Sequence, residues 1–340
     1  MPKLNVLVAG STGYIGIQLI KLLSKHKNIS IKYLCGNSSV GKKIHQFDKT
    51  LINKRLPKIT KFHKSFLKEI DLIFTALPNG EAQEISNHLT KDITLIDLAA
   101  DFRLKSAKEY FKWYKIKHKS VSNIKKSIYS LPEISTNDVK KFNIIACPGC
   151  YPTSILLPLT PLIKKKLIRV DNITADSKSG YSGAGRGVHK KYIKKNLYES
   201  LSAYGVGFHR HNSEIEQELK KLTNKKLEIN FTPHLIPMFR GILSTIYIEA
   251  NKNISFKKIL AELKSTYKKN RFVKVENENT LLSTNEVINT NNCHISLCKT
   301  KHKNKYIILS IIDNLIKGGA GQAIQNMNIK FNFKESEGLV

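Results

Sequence analysis

The feature that most constrains the fold of this chain is a glycine triplet that begins at residue 10. The apolar run Leu4–Ala9 leads into Gly10, Gly13 and Gly16, and an apolar pattern with helical spacing follows. In a strand–turn–helix unit the first glycine permits a tight turn and the second lets the backbone approach a pyrophosphate. The third lets the helix pack closely on the strand. Free N–H groups at the helix start favour phosphates. The triplet therefore predicts a Rossmann-type, doubly wound α/β domain that binds a dinucleotide.

The whole turn is assigned to the cofactor, through Gly10, Ser11, Thr12, Gly13, Tyr14, Ile15 and Gly16. Cofactor choice is decided after the second predicted strand, Ile29–Cys35, where enzymes that use NAD place an acidic residue on the ribose 2′-hydroxyl. Residues 36–43 contain no Asp or Glu. An acid there would repel a 2′-phosphate, whereas Ser38, Ser39 and a following lysine could hold one. The alternative is a solvated loop. We therefore predict NADP rather than NAD.

Two further predicted strands, Asp71–Ala76 and Thr94–Leu98, end in loops that carry functional residue types. Loops at the carboxyl ends of parallel strands are where such a sheet binds ligands. Pro78 follows the first strand and is assigned to the cofactor. Arg103 follows the second and is assigned to an anionic substrate, although an ion pair between Arg103 and Asp101 is an equal alternative.

A candidate nucleophile follows the next predicted strand, Ile144–Ala146. The segment from Cys147 to Thr153 contains Cys150 and then Pro152, a residue that suits the first turn of a helix. An apolar helix with Pro158 near its end is predicted to follow. Cys150 would then begin the helix, where the helix dipole favours the thiolate.

Three other interpretations of these cysteines compete with a nucleophile. The spacing of Cys147 and Cys150 also fits a redox pair, but such motifs accompany a different and shorter domain. A zinc site would need a second ligand pair, and Cys293, His294 and Cys298 are irregularly spaced for one. A buried structural cysteine is the third alternative. We therefore predict no metal.

Composition limits the partners of this chain. Its formal net charge is +31, yet only seven of the 57 basic residues are arginines, and the lysines are spread along the whole sequence. A nucleic-acid reader would use many arginines, because the guanidinium matches phosphates and guanine edges. Lys, Asn and Ile share adenine- and thymine-rich codons, so genome composition accounts for much of the lysine excess. The functional interpretation of the charge is a positive field that attracts anionic ligands. We therefore expect an anionic small-molecule substrate and no nucleic acid.

The 340 residues, of which 41% are hydrophobic, are enough for two globular domains. No apolar run approaches the 18 or so residues that a membrane helix needs. The amino-terminal segment lacks the layout of a signal peptide. Five cysteines are a sparse and odd set in a chain of this length. These features predict a cytoplasmic protein without a membrane association.

The segment from Cys147 to Thr153 resembles the active-site segment of the N-acetyl-gamma-glutamyl-phosphate reductase family, which is related to the aspartate-semialdehyde dehydrogenases. The resemblance continues in family order through Gly10–Gly16, Ala76–Gly80, Asp97–Leu104, Leu131–Glu133, Ser179–Arg186, His209–Ile215, Pro233–Gly241 and Asp313–Asn326. It implies an NADPH-dependent reductive dephosphorylation of N-acetyl-gamma-glutamyl phosphate to N-acetyl-L-glutamate 5-semialdehyde. The reaction would pass through a thioester of Cys150 and belong to arginine biosynthesis. The sequence departs from the family at Cys147, where Asn is common, at Ser213 (Pro) and at Gly319 (Ala).

The candidates for the general acid/base of this reaction are His209 and His211. Two residues apart, they would point to opposite faces of an extended segment, so we expect only one in the site. Glu214 lies three residues after His211 and could orient its imidazole if a helix starts there. We favour His211, by resemblance and by this spacing, with His209 as the reserve. A pair of surface histidines is the alternative.

Arg186 and Arg240 lie within loop motifs and are the candidate clamps for carboxylate or phosphate, with structural salt bridges as the alternative. The turn Asp313–Gly321 opens a last helix predicted at Ala320–Asn328, where backbone amides and Gln322 could meet the nicotinamide. The cofactor set is completed by two loop residues, Gly183 and Asn314.

The resulting domain assignment is an NADP-binding domain at 1–149 plus 315–340 and an α+β substrate-binding and catalytic domain at 150–314. The strands expected in the second domain are Ile173–Ser177, Leu227–Phe231, Leu243–Ala250, Ile295–Lys299 and Tyr306–Ile312, in a mixed and largely antiparallel sheet. Helices are expected at Glu214–Leu222 and Phe256–Tyr267. A homodimer or homotetramer is expected.

Three other functions share some of these features. The first is an enzyme like aspartate-semialdehyde dehydrogenase. The second is a basic nucleic-acid-binding protein. The third is an epimerase of the short-chain type, which the absence of a Tyr-x-x-x-Lys motif excludes.

Overall fold

The computed structural model describes residues 3–135, 138–186 and 199–340. The chain divides into two compact units. The first comprises Met1–Pro148 together with Gly319–Val340, and the second is Gly149–Gly318.

The first unit is built on a parallel sheet of seven strands in the order β3-β2-β1-β4-β5-β7-β6. The strands are β1 (Leu4–Ala9), β2 (Ile29–Cys35), β3 (Ile59–Thr60), β4 (Leu72–Thr75), β5 (Thr94–Asp97), β6 (Ser127–Tyr129) and β7 (Ile144–Ala146). Its α-helices are α1 (Tyr14–Leu23), α2 (Glu81–Ser86), α3 (Ala107–Tyr114), α4 (Val121–Ile124), α5 (Pro132–Ser135) and, near the end of the chain, α9 (Gly321–Lys330). This arrangement confirms the predicted Rossmann-type domain.

The central strands are buried along their length, as their unbroken apolar runs predict for a sheet covered on both faces. β1, β2 and β7 have the predicted bounds, whereas β4 and β5 are slightly shorter than predicted. The prediction missed β3 and β6, which have two and three residues. Strands this short contain too few residues to show a periodic pattern, and they form by pairing with β2 and β7.

The second unit contains a mixed sheet of seven strands in the order β12-β13-β14-β11-β8-β10-β9. The strands are β8 (Ile173–Gly180), β9 (Ser202–Ala203), β10 (Ile229–Ile236), β11 (Ile242–Glu249), β12 (Val273–Val275), β13 (Cys293–Lys299) and β14 (Lys305–Ile312). Its α-helices are α6 (Cys150–Lys164), α7 (His211–Lys220) and α8 (Phe256–Tyr267). The predicted α+β class is confirmed, and the unpredicted strands are again the short ones, β9 and β12. A π-helix at Ile316–Ala320 connects β14 to α9.

The long helix α6 is the core of the second unit and packs against β11, β14, α7 and α8. The prediction that it ends near Pro158 was wrong, because it continues through Pro158 and Pro161 to Lys164. A proline inside a helix removes the N–H that the carbonyl four residues earlier would accept. For Pro161 that carbonyl belongs to Leu157, and the hydroxyl of Tyr267 on α8 donates to it instead. Tertiary packing thus supplies the missing hydrogen bond.

Among the described residues, no helix combines the length and apolar character needed to cross a membrane.

Candidate active site

Two of the three glycines of the turn, Gly10 and Gly16, have surroundings that only glycine accommodates. Gly10 has φ +83°, and a Cβ there would lie 2.2 Å from the carbonyl oxygen of Ala76 at the end of β4. A Cβ on Gly16 would lie 2.2 Å from the Gly10 carbonyl oxygen, so this glycine sets the close approach of α1 to the turn. Gly13 has open space around it, its nearest neighbour being 3.6 Å away. The middle of the turn is therefore accessible to a ligand, as a pyrophosphate requires.

The other residues of the turn differ in what they can offer a ligand. Ser11 is buried, and its backbone N–H and hydroxyl both donate to the Cys35 carbonyl at 3.1 Å, which ties the turn to the end of β2. Thr12, Tyr14 and Ile15 are half-buried. Of the two serines predicted to hold a 2′-phosphate, Ser38 is exposed and Ser39 is buried.

A cavity of about 460 Å³ lies at the carboxyl ends of β1, β2 and β4 in the first unit. Its lining residues are Ala9, Cys35, Gly36, Asn37, Lys61, Phe62, Leu77, Glu81, Glu84, Ile85 and His88. Together with the glycine turn, this cavity fits the adenosine half of a dinucleotide. Sequence reasoning missed Lys61 and Phe62, because they follow the two-residue strand β3 and no motif marks them.

The loops after β4 and β5 are fixed within the first unit. Asp101 accepts from the backbone N–H groups of Gly80 (2.7 Å) and Ala82 (3.1 Å), so it caps the start of α2. Pro78 is exposed in the same loop. Arg103 is buried and donates to the carbonyls of Cys147 at 2.8 Å and Leu98 at 2.9 Å. Through these bonds the Arg103 guanidinium connects the backbone at Cys147 to the end of β5.

Cys147, which stands where the resembled family often has Asn, is a buried thiol. Its Sγ lies 3.7 Å from the Nδ2 amide of Asn326 on α9. Burial, and next the charge of Asp97, raise the pKa of the Cys147 thiol to about 12. Cys147 is therefore protonated and unreactive at neutral pH. Gln322, on the same helix as Asn326, is also buried.

Cys150 is the first residue of α6, as predicted, and is half-buried. No acidic side chain lies in the first turn of the helix, and Gly149 precedes it without a capping side chain. The positive end of the helix dipole therefore acts on the thiol. Gly318 lies against Cys150, since a Cβ on Gly318 would be 2.6 Å from the Cys150 Cβ. Gly318 is a further residue, beside Cys150, that sequence reasoning missed.

His211 begins α7 and lies directly against the residue that precedes Cys150. A Cβ on Gly149 would be 2.3 Å from the Nε2 atom of His211. Glu214 is fully buried, and its Oε1 lies 3.8 Å from the same Nε2. Its Oε2 accepts from the Gly149 N–H at 3.0 Å. The predicted helix start is confirmed, and it places this carboxylate between the imidazole and the start of α6.

His209 does not point to the opposite face, so that expectation was wrong. The segment is a turn entering α7 rather than a strand, since Asn212 N–H donates to the His209 carbonyl. The two imidazole centroids are therefore only 4.8 Å apart. His209 Nδ1 accepts from the backbone N–H of His211 at 3.2 Å. Burial, and next the charge of Arg210, lower the pKa of His209 to about 4. His209 is therefore neutral at pH 7.

Tyr151 supports both histidines and was missed as a site residue. Its ring lies edge-on to His209 at 5.7 Å and to His211 at 5.9 Å. Its hydroxyl donates to the carbonyl of His234 at 3.2 Å and accepts from the hydroxyl of Tyr204 at 3.1 Å. Such aromatic packing restricts where the imidazoles can move.

The candidate anion-binding arginines of the second unit have different environments. Arg240 Nη1 donates to Asp313 Oδ2 at 3.0 Å and to Asn289 Oδ1 at 2.6 Å. Asp313 is fully buried and also accepts from the Leu315 backbone N–H at 2.8 Å. Arg240 is thus held in place by a buried ion pair. Arg186 is half-buried.

Asn314 uses its buried amide within the second unit. Its Oδ1 accepts from the Gly241 N–H at 2.7 Å, and its Nδ2 donates to Ser182 Oγ at 2.9 Å. A Cβ on Gly183 would lie 3.2 Å from the same Nδ2. Asn314 therefore joins the end of β14 to the loop that contains Gly183.

One group of possible metal ligands occurs in the described part of the chain, at Glu276, Glu286 and His294. Lys274 Nζ lies 2.8 Å from Glu276 Oε1, and His294 Nδ1 lies 3.3 Å from the same oxygen. Lys274 and His294 thus both pair with the Glu276 carboxylate in this group. Cys293 and Cys298 lie on the same strand, β13, and their thiols are near the Ser310 and Ser296 hydroxyls.

Comparison with known proteins assigns both halves of the chain. A family model described as "Semialdehyde dehydrogenase, NAD binding domain" matches residues 5–142, and one described as "Semialdehyde dehydrogenase, dimerisation domain" matches 150–314. Among solved structures, aspartate semialdehyde dehydrogenase II of Vibrio cholerae, complexed with ASA, covers 98% of this chain and 99% of its own, with TM-score 0.72 and 15% identity. The enzyme of Candida albicans with NADP has TM-score 0.68 and 17% identity, covering 96% and 98%. These structures show the same fold.

Curated relatives are much more similar in sequence. The N-acetyl-gamma-glutamyl-phosphate reductase of Thermoanaerobacter pseudethanolicus is 42% identical over 98% of this chain and 97% of its own. That of Vesicomyosocius okutanii is 42% identical over 99% and 98%. A probable chloroplastic reductase of the same name from Arabidopsis thaliana is 39% identical over 99% of this chain and 84% of its own. The chain therefore belongs to the N-acetyl-gamma-glutamyl-phosphate reductase family of the semialdehyde dehydrogenases.

Proposed function

We propose that this protein catalyses the NADPH-dependent reductive dephosphorylation of N-acetyl-gamma-glutamyl phosphate to N-acetyl-L-glutamate 5-semialdehyde, a step of arginine biosynthesis. The observation that carries the proposal is the arrangement at the start of α6. Cys150 is its first residue, and the imidazole of His211 and the buried carboxylate of Glu214 both contact the preceding Gly149. This is the set of groups that covalent catalysis on an acyl phosphate requires.

The reaction follows from the roles of these side chains. The Cys150 thiolate attacks the acyl carbonyl, an S–C bond forms, the C–O bond to phosphate breaks and phosphate leaves. The resulting thioester is reduced by the hydride that bound NADPH supplies. His211 provides the proton as charge develops on the carbonyl oxygen and recovers it when the thiohemiacetal collapses and the S–C bond breaks. Glu214 stabilises the imidazolium form of His211. His209, which is neutral at pH 7, positions His211 rather than transferring the proton.

Most of the proposed cofactor contacts lie in the first unit and the covalent chemistry is assigned to the second. The glycine turn and the cavity beside it fit the dinucleotide. The proposed cofactor contacts outside them are Ser38, Ser39, Pro78, Gly183, Asn314 and Gln322. The proposed anchors for the carboxylate and phosphate of the substrate are Arg103, Arg186 and Arg240.

The decisive experiment is an NADP⁺-reduction assay with N-acetyl-L-glutamate 5-semialdehyde, with and without phosphate. We expect phosphate-dependent turnover by the wild type, its loss in Cys150→Ser, and its retention in Cys147→Ser, a matched control three residues away. Aspartate semialdehyde, the unacetylated substrate of the alternative function, should be a poor substrate. Turnover of Cys150→Ser near the wild-type rate would exclude the thioester route.

The assembly is proposed to be a homodimer or homotetramer, supported by the family description of residues 150–314 as a dimerisation domain. Light scattering on purified protein measures this, and a monomer at micromolar concentration would contradict it. We also propose a cytoplasmic location. All five cysteines are free thiols, which is typical of a reducing compartment. Cell fractionation tests the location.

A further inference from the structure

The third strand of the parallel sheet brings a lysine to the place where a dinucleotide ribose is recognised. β3 pairs in parallel with β2, with Cys35 opposite Thr60. The next residues, Gly36 and Lys61, leave the sheet side by side, and Gly36 N–H donates to the Thr60 carbonyl at 3.0 Å. In a doubly wound fold the residues directly after β2 contact the adenosine ribose. Lys61 therefore reaches this region from β3.

The loop after β2 folds back over β3 and stays close to Lys61. Gly41 N–H donates to the Ile59 carbonyl at 2.8 Å, and Ile59 N–H donates to the Lys42 carbonyl at 2.9 Å. These bonds fix the loop from Asn37 to Gly41 beside the end of β3. Asn37 and Lys61 both line the 460 Å³ cavity, whereas Lys42 and Lys43 are exposed and are not among its lining residues.

The distribution of charge around the cavity favours binding of a phosphate near Lys61. Lys61 is exposed, and no carboxylate of the described residues forms an ion pair with it. The two carboxylates of the cavity, Glu81 and Glu84, lie on α2, and Glu84 is paired with Lys119. Burial, and next the charge of Glu84, raise the pKa of Glu81. Within the described part of the chain, Lys61 is thus a cavity cation without a carboxylate partner, and Asn37 lines the same cavity with an amide that can donate to a phosphate.

We propose that Lys61, with Asn37, binds the 2′-phosphate of NADP and determines the preference of this enzyme for NADP over NAD. The inference rests on the proposed function in that the cofactor is NADP. It assigns the specificity to a residue after β3, whereas the sequence predicts that Ser38, Ser39 and a following lysine hold the 2′-phosphate. An ammonium next to a phosphate dianion contributes affinity that NAD, which lacks the 2′-phosphate, cannot gain.

The test measures binding without catalysis. Isothermal titration with 2′,5′-ADP and with 5′-AMP, and then with NADP⁺ and NAD⁺, compares ligands that differ only in the 2′-phosphate. In Lys61→Gln we expect the Kd for 2′,5′-ADP and NADP⁺ to rise about tenfold, with the Kd for 5′-AMP and NAD⁺ within twofold of wild type. Lys42→Gln is the matched control and should change none of these values by more than twofold. Thermal melting checks that both variants fold.

The outcomes separate this proposal from the proposed function. If wild type prefers 2′,5′-ADP and Lys61→Gln keeps that preference, the role of Lys61 is overturned while the NADP assignment stands. Loss of the preference in Lys42→Gln alone would likewise overturn the role of Lys61. If wild type does not distinguish the two ligands, both the role of Lys61 and the NADP assignment fail. A tenfold loss confined to the 2′-phosphorylated ligands in Lys61→Gln supports the proposal.

Discussion

The buried carboxylate of Glu214 accepts a 3.0 Å hydrogen bond from the backbone N–H of Gly149, the residue that precedes Cys150. The same carboxylate lies 3.8 Å from the imidazole of His211. One side chain thus connects the start of the helix that holds the proposed nucleophile to the proposed acid/base. The relative position of Cys150 and His211 therefore depends on Glu214.

Replacing Glu214 by Gln should separate its charge from its hydrogen bond. The Gln oxygen can still accept from the Gly149 N–H, but the negative charge near His211 is lost. We expect kcat to fall about 10- to 100-fold, with the pH–rate profile shifted to lower pH, because the imidazolium loses a stabilising charge. Steady-state kinetics over pH 5–9 measures both effects. The control is Glu216→Gln, a half-buried residue of the same helix that pairs with Lys220. An unchanged profile in Glu214→Gln would contradict the role.

Gly149→Ala tests the contact between the two helices. Its Cβ would overlap the His211 imidazole at 2.3 Å, so the ring or the helix start must move. We expect a loss of about 1–3 kcal/mol of stability, typical of overpacking, and at least a hundredfold loss of kcat. The companion variant Gly149→Ala/His211→Ala removes the overlapping ring and should recover most of the stability without recovering activity. Chemical denaturation of the single and double variants decides this, and no recovery in the double variant would count against the contact.

His209 makes the stability depend on pH in a defined direction. Its folded-state pKa is about 4, below the unfolded value of about 6.5. The unfolded chain therefore binds the proton more readily between these values, so the contribution of His209 is fully present above pH 6.5. It is lost as the pH falls toward 4, by about 3 kcal/mol in total.

The variant His209→Phe keeps the aromatic packing and removes the titration. Urea unfolding at pH 4.5 and pH 7.5 should show a smaller difference in free energy of unfolding for this variant than for wild type. His302→Phe, at an exposed turn, should behave as wild type. Equal pH dependence in His209→Phe and wild type would show that His209 is not the group responsible.

Tyr267→Phe tests how α6 tolerates Pro161. Removing the hydroxyl leaves the buried Leu157 carbonyl without the bond that replaces its helical partner. We expect a loss of about 1–2 kcal/mol in the free energy of unfolding. Tyr247→Phe, at an exposed position on β11, should change stability by less than about 0.5 kcal/mol. If the two variants unfold at the same urea concentration, the hydroxyl of Tyr267 does not have this role.

Local signals were sufficient where one segment carries the whole pattern. The glycine turn between β1 and α1 could be recognised because its three glycines, the apolar strand and the helix lie within 20 consecutive residues. Cys150 could be placed at a helix start because Pro152 and the apolar run after it are adjacent in sequence. The helix start at His211 followed from the spacing of Glu214 and Ile215 in the same way.

The predictions from sequence were wrong or incomplete for features that depend on distant segments of the chain. Helix α6 continues through Pro158 and Pro161. The Leu157 carbonyl, which loses its helical donor at Pro161, accepts from the hydroxyl of Tyr267, 110 positions later in the chain. The environments of Arg103 and Arg240 are set by the Cys147 carbonyl and by Asp313, which no local pattern connects to them.

The sequence by itself determined the nucleotide-binding class, the family, the helix that begins at Cys150 and the helix start that contains His211 and Glu214. These features depend on backbone preference and side-chain spacing within one or two helical turns of the chain. Only the tertiary structure decided that His209 is half-buried and neutral and that Glu214 accepts from the Gly149 N–H. It also decided that Lys61 and Asn37 line the same cavity. Burial, charge proximity and the pairing of the two-residue strand β3 arise when remote segments meet, and the order of residues along the chain does not encode them locally.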